Sequence, residues 1–126
     1  MILELLPMPF TVCQTEEMPL EALSAPFAFF ARTDEELSLV CPESQCPART
    51  LNREDGWRCL RVQGSLDFSL VGILARIAGC LAEAKVPIFA LSTYNTDYVL
   101  FRQQFLNQAL DALDRAEFSV DLSVEC

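Results

Sequence analysis

The hydrophobic period changes repeatedly along the second half of this chain, and the order of those changes leaves few folds open. Trp57, Cys59 and Arg61 alternate with Arg58, Leu60 and Val62, a period of two that suits a strand. Gly64-Ser65-Leu66-Asp67 interrupts it. Leu70, Leu74, Ile77 and Leu81 then form one stripe of an amphipathic helix, with Asp67 or Ser69 able to cap its amides and Pro87 marking its end. Ile88–Tyr94 and Asp97–Arg102 are rich in aromatic and branched residues and read as a hairpin across Asn95-Thr96. A second helix with Leu106, Leu110 and Leu113 on one face and a closing strand Ser119–Val124 complete the series.

Strand, helix, strand, strand, helix, strand is the ferredoxin-like (βαββαβ) arrangement, an α+β fold in which both helices cover one face of an antiparallel sheet. The other face needs a cover of its own. A sheet wet on one side alternates apolar and polar residues, whereas Ile88-Phe89-Ala90-Leu91 and Val99-Leu100-Phe101 are apolar on both faces.

The first half repeats part of this order. Phe10–Gln14 reads as a strand, Glu16–Ser24 as two helical turns with Pro19 in the first, and Phe27–Arg32 with Leu37–Cys41 as a hairpin across Thr33-Asp34-Glu35-Glu36. No second helix follows, because residues 42–55 carry two prolines and no helical period. Phe27, Phe29 and Phe30 again occupy both faces, so the two halves, or two copies of the chain, are expected to bury surface against each other.

Charge and composition narrow the function. The net charge of −9 provides no basic field for phosphate, so a nucleic-acid partner is not expected. The absence of histidine removes the usual imidazole base, imidazole metal ligand and Ser-His or Cys-His nucleophile pair. Of the cysteines, Cys41 and Cys46 are close in sequence, but no second close pair completes a tetrahedral site, so no metal and no cofactor are expected. The N-terminus Met1-Ile2-Leu3-Glu4 has neither a basic n-region nor a cleavage site, which points to a cytoplasmic protein with reduced thiols. The apolar stretch Leu70–Ala82 contains Arg76 and is too short to span a bilayer, so no membrane association is expected.

At Asp67-Phe68-Ser69-Leu70-Val71-Gly72-Ile73-Leu74, followed by Ile77, Leu81, Ala82 and Ala84, the chain resembles the ACT domain family of small-molecule regulatory modules. Leu91-Ser92-Thr93-Tyr94-Asn95-Thr96-Asp97-Tyr98-Val99-Leu100 is similar to the ACT hairpin of aspartate kinases and of small stand-alone tandem ACT proteins. Arg32-Thr33-Asp34-Glu35-Glu36-Leu37-Ser38-Leu39-Val40-Cys41-Pro42 resembles that tandem group. The resemblance implies tandem ferredoxin-like ACT units, residues 1–56 as a truncated N-terminal unit and 57–126 as a complete C-terminal domain. It further implies a free amino acid or related metabolite bound where two ACT units meet.

The residues supply a mechanism for such binding. Amides around Val71, Gly72 and Ile73 suit a carboxylate, and Gly72 has no Cβ to obstruct it. Asp97 and Thr93 offer acceptors for an ammonium group, Tyr94 an apolar wall, and Asp67 a cap or a ligand contact. Two departures from the family pattern are Val71, where many members carry Pro, and Lys85, where many carry Gly at the helix end. The expected protein is therefore a non-catalytic homodimer that signals ligand occupancy through association; the alternative is an interaction or dimerisation module without a ligand. An acyl-phosphate hydrolase is disfavoured, because Arg61 lies on a strand and Arg76 on a helix, so neither is placed to cradle a phosphate.

Overall fold

The structure is a computed structural model that describes residues 2–63 and 72–122. In chain order its elements are β1 (Ile2–Leu5), β2 (Phe10–Thr15), α1 (Leu20–Leu23), β3 (Phe29–Arg32), β4 (Leu37–Pro42), β5 (Asn52–Val62), α2 (Ile73–Glu83), β6 (Phe89–Ser92), β7 (Asp97–Arg102), α3 (Leu106–Arg115) and β8 (Ser119–Asp121). They group into two compact units, one of residues 1–7 with 58–126 and the other of residues 8–57.

In the first of these units the strand order is β6-β7-β5-β1-β8. Sequence reasoning placed no strand before Phe10, yet β1 lies between β5 and β8. It pairs antiparallel with β5, Leu3 opposite Val62 and Leu5 opposite Leu60, and parallel with β8, Leu3 opposite Val120. The sheet is thus five-stranded and mixed rather than four-stranded and wholly antiparallel. The pleat sends Leu3, Leu5, Leu60, Val62, Val99 and Phe101 into a single core beneath α2 and α3. On the other side of β1 and β5, Glu4 faces Arg61, which donates from Nη2 to the carboxylate at 3.0 Å.

Helix α2 buries Ile73, Ile77 and Leu81, with Leu74 half-buried beside them. Burial of side chains this size stabilises by roughly 1.5–3 kcal/mol each. Helix α3 is rotated from its expected face: Ala109, Ala112 and Leu113 are buried, while Leu110 is only half-buried. Leucine spacing alone misplaces the stripe, because small alanines let the helix axis approach the sheet.

Both helices end in the same way. Lys85 and Glu117 adopt left-handed conformations, with φ of 63° and 68°. Around each, paired amide-to-carbonyl bonds close a Schellman motif: Lys85 to Ala82 and Val86 to Leu81, then Glu117 to Asp114 and Phe118 to Leu113, all at 2.9 Å. Val86 and Phe118, the residues after the caps, are buried. The departure from glycine at Lys85 therefore leaves the helix end intact.

In the unit of residues 8–57 the strand order is β3-β4-β2-β5, all antiparallel. The sheet is extended by β5 from Asn52, where a loop was expected, and interrupted by a register shift between Phe10 and Val12. The bulge is on β5, where Asp55 and Gly56 face the single Thr11; Gly56 is at φ 85° and its amide donates to Glu43 Oε2 at 2.7 Å. The expected two-turn helix contracts to the single turn of α1, with Pro19 as its N-cap and Ala22 its buried residue. The place of a second helix is taken by one 3-10 turn, Glu43–Gln45. Cys13, Cys41, Leu39 and Ala22 form a small core here.

Candidate functional site

The hairpin loop between β6 and β7 is held shut by its own threonines. Thr93 and Thr96 are joined by an amide-to-carbonyl bond of 2.9 Å, and Thr93 Oγ1 both accepts from the Thr96 amide, at 3.4 Å, and donates to the Thr96 carbonyl, at 3.2 Å. Thr96 is itself buried, and its Oγ1 donates to the Val62 carbonyl at 2.8 Å. That bond fastens the hairpin to the last residue of β5, where the chain leaves the sheet for the segment leading to α2. Sequence reasoning treated Thr96 as an ordinary turn residue. Nothing in a single Asn-Thr dipeptide reveals a partner thirty-odd residues upstream, although a β-branched residue in a tight turn is itself uncommon.

At the base of the loop, Asp97 Oδ1 accepts from Ser92 Oγ at 2.6 Å, and the two residues are cross-strand partners in the hairpin register. The carboxylate is thereby oriented and retains lone pairs for a further donor. Thr93, by contrast, has its hydroxyl engaged in closing the turn. Tyr94 is 85% exposed, so its ring projects from this chain.

Gly72 is the N-cap of α2 at φ 87°, a left-handed conformation that explains the glycine through backbone geometry. Among the described residues nothing lies within 4 Å of where its Cβ would stand. The first helical bond runs from the Arg76 amide to the Gly72 carbonyl at 2.8 Å. Among the described residues no side chain caps this end. Asp67 and Ser69, the caps expected from the sequence, lie outside the described residues. The helix starts later, at Ile73, and its leading amides belong to Ile73, Leu74 and Ala75. Ile73's side chain is in the core, leaving its amide as the only group it can offer a ligand. Asp67 and Val71 lie outside the described residues.

Thiol chemistry is muted. Burial pushes Cys59 up to about 12. Burial, and then the neighbouring Cys46, push Cys13 to about 12 and Cys41 to about 11. Such thiols stay protonated and non-nucleophilic at neutral pH. Among the described residues no group of three or more His, Cys, Asp or Glu side chains is arranged to hold a metal ion. None of the described helices is long and apolar enough to cross a membrane.

A sheet covered on one face by two helices, in this strand order, defines a ferredoxin-like α+β fold. A profile described as ACT domain matches residues 52–115, half of the chain, and the chain belongs to the ACT domain family. It is similar to the protein named cytosolic arginine sensor for mTORC1 subunit 1. The Rattus norvegicus form is 31% identical over 77% of this chain and 31% of its own length. The Homo sapiens form is 36% identical over 48% of this chain and 19% of its own length. The chain thus spans about a third or less of these curated relatives. Among solved structures, an Agobacterium tumefaciens protein superposes with a TM-score of 0.87 at 29% identity, over 98% of this chain and 93% of that one. The ligand-free regulatory subunit of aspartate kinase from Thermus thermophilus superposes with a TM-score of 0.62 at 9% identity, over 90% and 95%, and so shares the fold.

Proposed function

We propose that this protein is a non-catalytic cytoplasmic regulator that binds a free amino acid or related small metabolite where two ACT units meet, in a homodimer, and reports occupancy through protein association. The observation that carries this reading is the Thr96–Val62 hydrogen bond, which fixes the acidic hairpin to the strand end from which the chain departs toward Gly72 and α2. A ligand carboxylate is received by the leading amides of α2, where partial positive charge is concentrated. The ammonium group pairs with Asp97, already oriented by Ser92. The name of one curated relative, an arginine sensor, supports an amino acid as the ligand class.

Such a module works through differential affinity. The ligand favours one arrangement of two units, and a partner protein recognises that arrangement. A thermal-shift screen with the proteinogenic L-amino acids tests this. A true ligand at about 100 times its dissociation constant adds roughly 2.7 kcal/mol of stability, and Asp97→Ala diminishes the shift. If no amino acid raises the melting temperature, the ligand-free interaction module replaces this reading. Thr93's engaged hydroxyl and Tyr94's exposure are the features that favour that alternative.

A further inference from the structure

Three cysteines of the unit of residues 8–57 converge on one side of its sheet. Cys13 on β2 and Cys41 on β4 lie in neighbouring strands and face the same way, since Cys13 stands opposite Leu39 and Cys41 comes two residues further along β4. Both are buried. Cys46 follows the 3-10 turn Glu43–Gln45, and its amide is fixed to the Glu43 carbonyl at 3.2 Å. The turn brings Cys46, half-buried, against the core of Cys13, Leu39 and Cys41. There the Cys46 thiol makes hydrogen-bonding contact with the Cys13 thiol. Cys46 also borders a hollow of about 300 Å³, lined beside it by Ala22, Ser44 and Pro47, which neither Cys13 nor Cys41 reaches.

We infer that Cys46 is an oxidation site for hydroperoxides and that it closes a reversible disulfide with Cys13. In the first step the Cys46 sulfur bonds to the terminal peroxide oxygen, the O–O bond breaks, and the thiol proton leaves with the displaced oxygen as an alcohol or water. Cys46 is then a sulfenic acid. In the second step the Cys13 sulfur bonds to the Cys46 sulfur, the S–O bond breaks, and the Cys13 proton departs with the hydroxyl as water. Over both steps the thiol pair loses two electrons to the peroxide. Exposure divides the roles: Cys46 meets the oxidant, while Cys13, protonated and inert to reagents in solution, reacts because the sulfenic acid is formed in contact with it. Cys41 is the poorer partner for Cys13. Diagonal neighbours on adjacent strands stand about 7–8 Å apart, and a disulfide needs Cα atoms within about 7 Å. The bond ties the 3-10 turn to β2, and a dithiol releases it again.

Peptide mapping of the reduced full chain after treatment with hydrogen peroxide tests the inference. Digestion after Arg and Glu separates Cys41 from Cys46 at Glu43. The expected product is a Cys13–Cys46 cross-linked peptide that dithiothreitol cleaves, and the denatured chain loses two of its six titratable thiols. Half-buried Cys80, whose thiol is engaged with the Ala112 carbonyl at 3.2 Å, should react more slowly than Cys46. The unsubstituted chain decides the question by itself, and Cys13→Ala then assigns the order of attack: peroxide with dimedone should label Cys46. A cross-link from Cys41 to either neighbour, a Cys46 no more reactive than Cys80, or dimedone on Cys41 in place of Cys46 would each overturn the inference, as would the absence of any cross-link.

Discussion

In the unit of residues 1–7 and 58–126, α2 and α3 cover one sheet face and bury Ile73, Ile77, Leu81, Ala109 and Leu113; in the unit of residues 8–57, α1 is four residues long and buries Ala22. Both contain a strand, a helix and a hairpin in the same order, β5-α2-β6-β7 in the first and β2-α1-β3-β4 in the second. The difference shows how much of this topology can be reduced once the helical layer goes. The smaller unit packs Cys13, Cys41, Ala22 and Leu39 into a small cluster and buries Phe10 against Phe27.

Substitutions that hollow the helical layer are the strongest way to break this contrast. Ile77→Ala and Leu113→Ala, at fully buried positions, are expected to cost about 2–5 kcal/mol in urea unfolding. Leu20→Ala in α1, 73% exposed, should stay within about 0.5 kcal/mol of the parent. A similar loss at Leu20 would mean that the smaller unit depends on its helix after all. Next in size is Thr96→Val, which keeps the shape and removes the donor to the Val62 carbonyl. About 1–3 kcal/mol of destabilisation is expected from that buried acceptor, together with a weaker response to ligand. Unchanged stability would show that the hairpin is held by other contacts.

Alkaline pH sharpens the comparison. Unfolded thiols lose their protons near pH 8.5 or so, whereas burial holds Cys13 and Cys59 up to about 12 and Cys41 to about 11. Over that interval the native state binds more protons than the unfolded chain, so stability falls as pH rises and is unaffected below it. Two of these thiols form part of the small core of residues 8–57. Hydrogen exchange between about pH 8 and pH 10 should therefore show the strands β2 and β4 loosening, and Cys13→Ala with Cys41→Ala should flatten that dependence. An unaltered slope would assign it to other groups. The smallest effect concerns the helix ends: Lys85→Gly and Glu117→Gly relieve left-handed strain and are each expected to stabilise by up to about 1 kcal/mol in thermal melts.

The element order was legible because periodicity reports burial directly: Asp97–Arg102 and the stripe Ile77–Leu81 are where the pattern puts them. What pattern could not show depended on pairing. Ile2–Leu5 is too short for its alternation to stand out, and only its registers with β5 and β8 reveal it as an interior strand. Leu110 outranks Ala109 in hydrophobicity, yet alanine lies on the packed face. At the candidate site Gly72 and Asp97 were legible as chemical types. The bond that fastens the hairpin, Thr96 to Val62, joins residues 34 positions apart and leaves no local trace.

The central claim is that the start of α2 and the hairpin at Asp97 together receive an amino acid. Amide NMR of the labelled chain against the proteinogenic L-amino acids tests it most directly. At least one of them should move Gly72, Ile73 and Asp97 along a single saturable curve, and Asp97→Ala should abolish that curve while the fold persists. If the Gly72 and Asp97 amides stay still with every amino acid, or respond at unrelated concentrations, the two elements do not form one receptor and the claim is wrong.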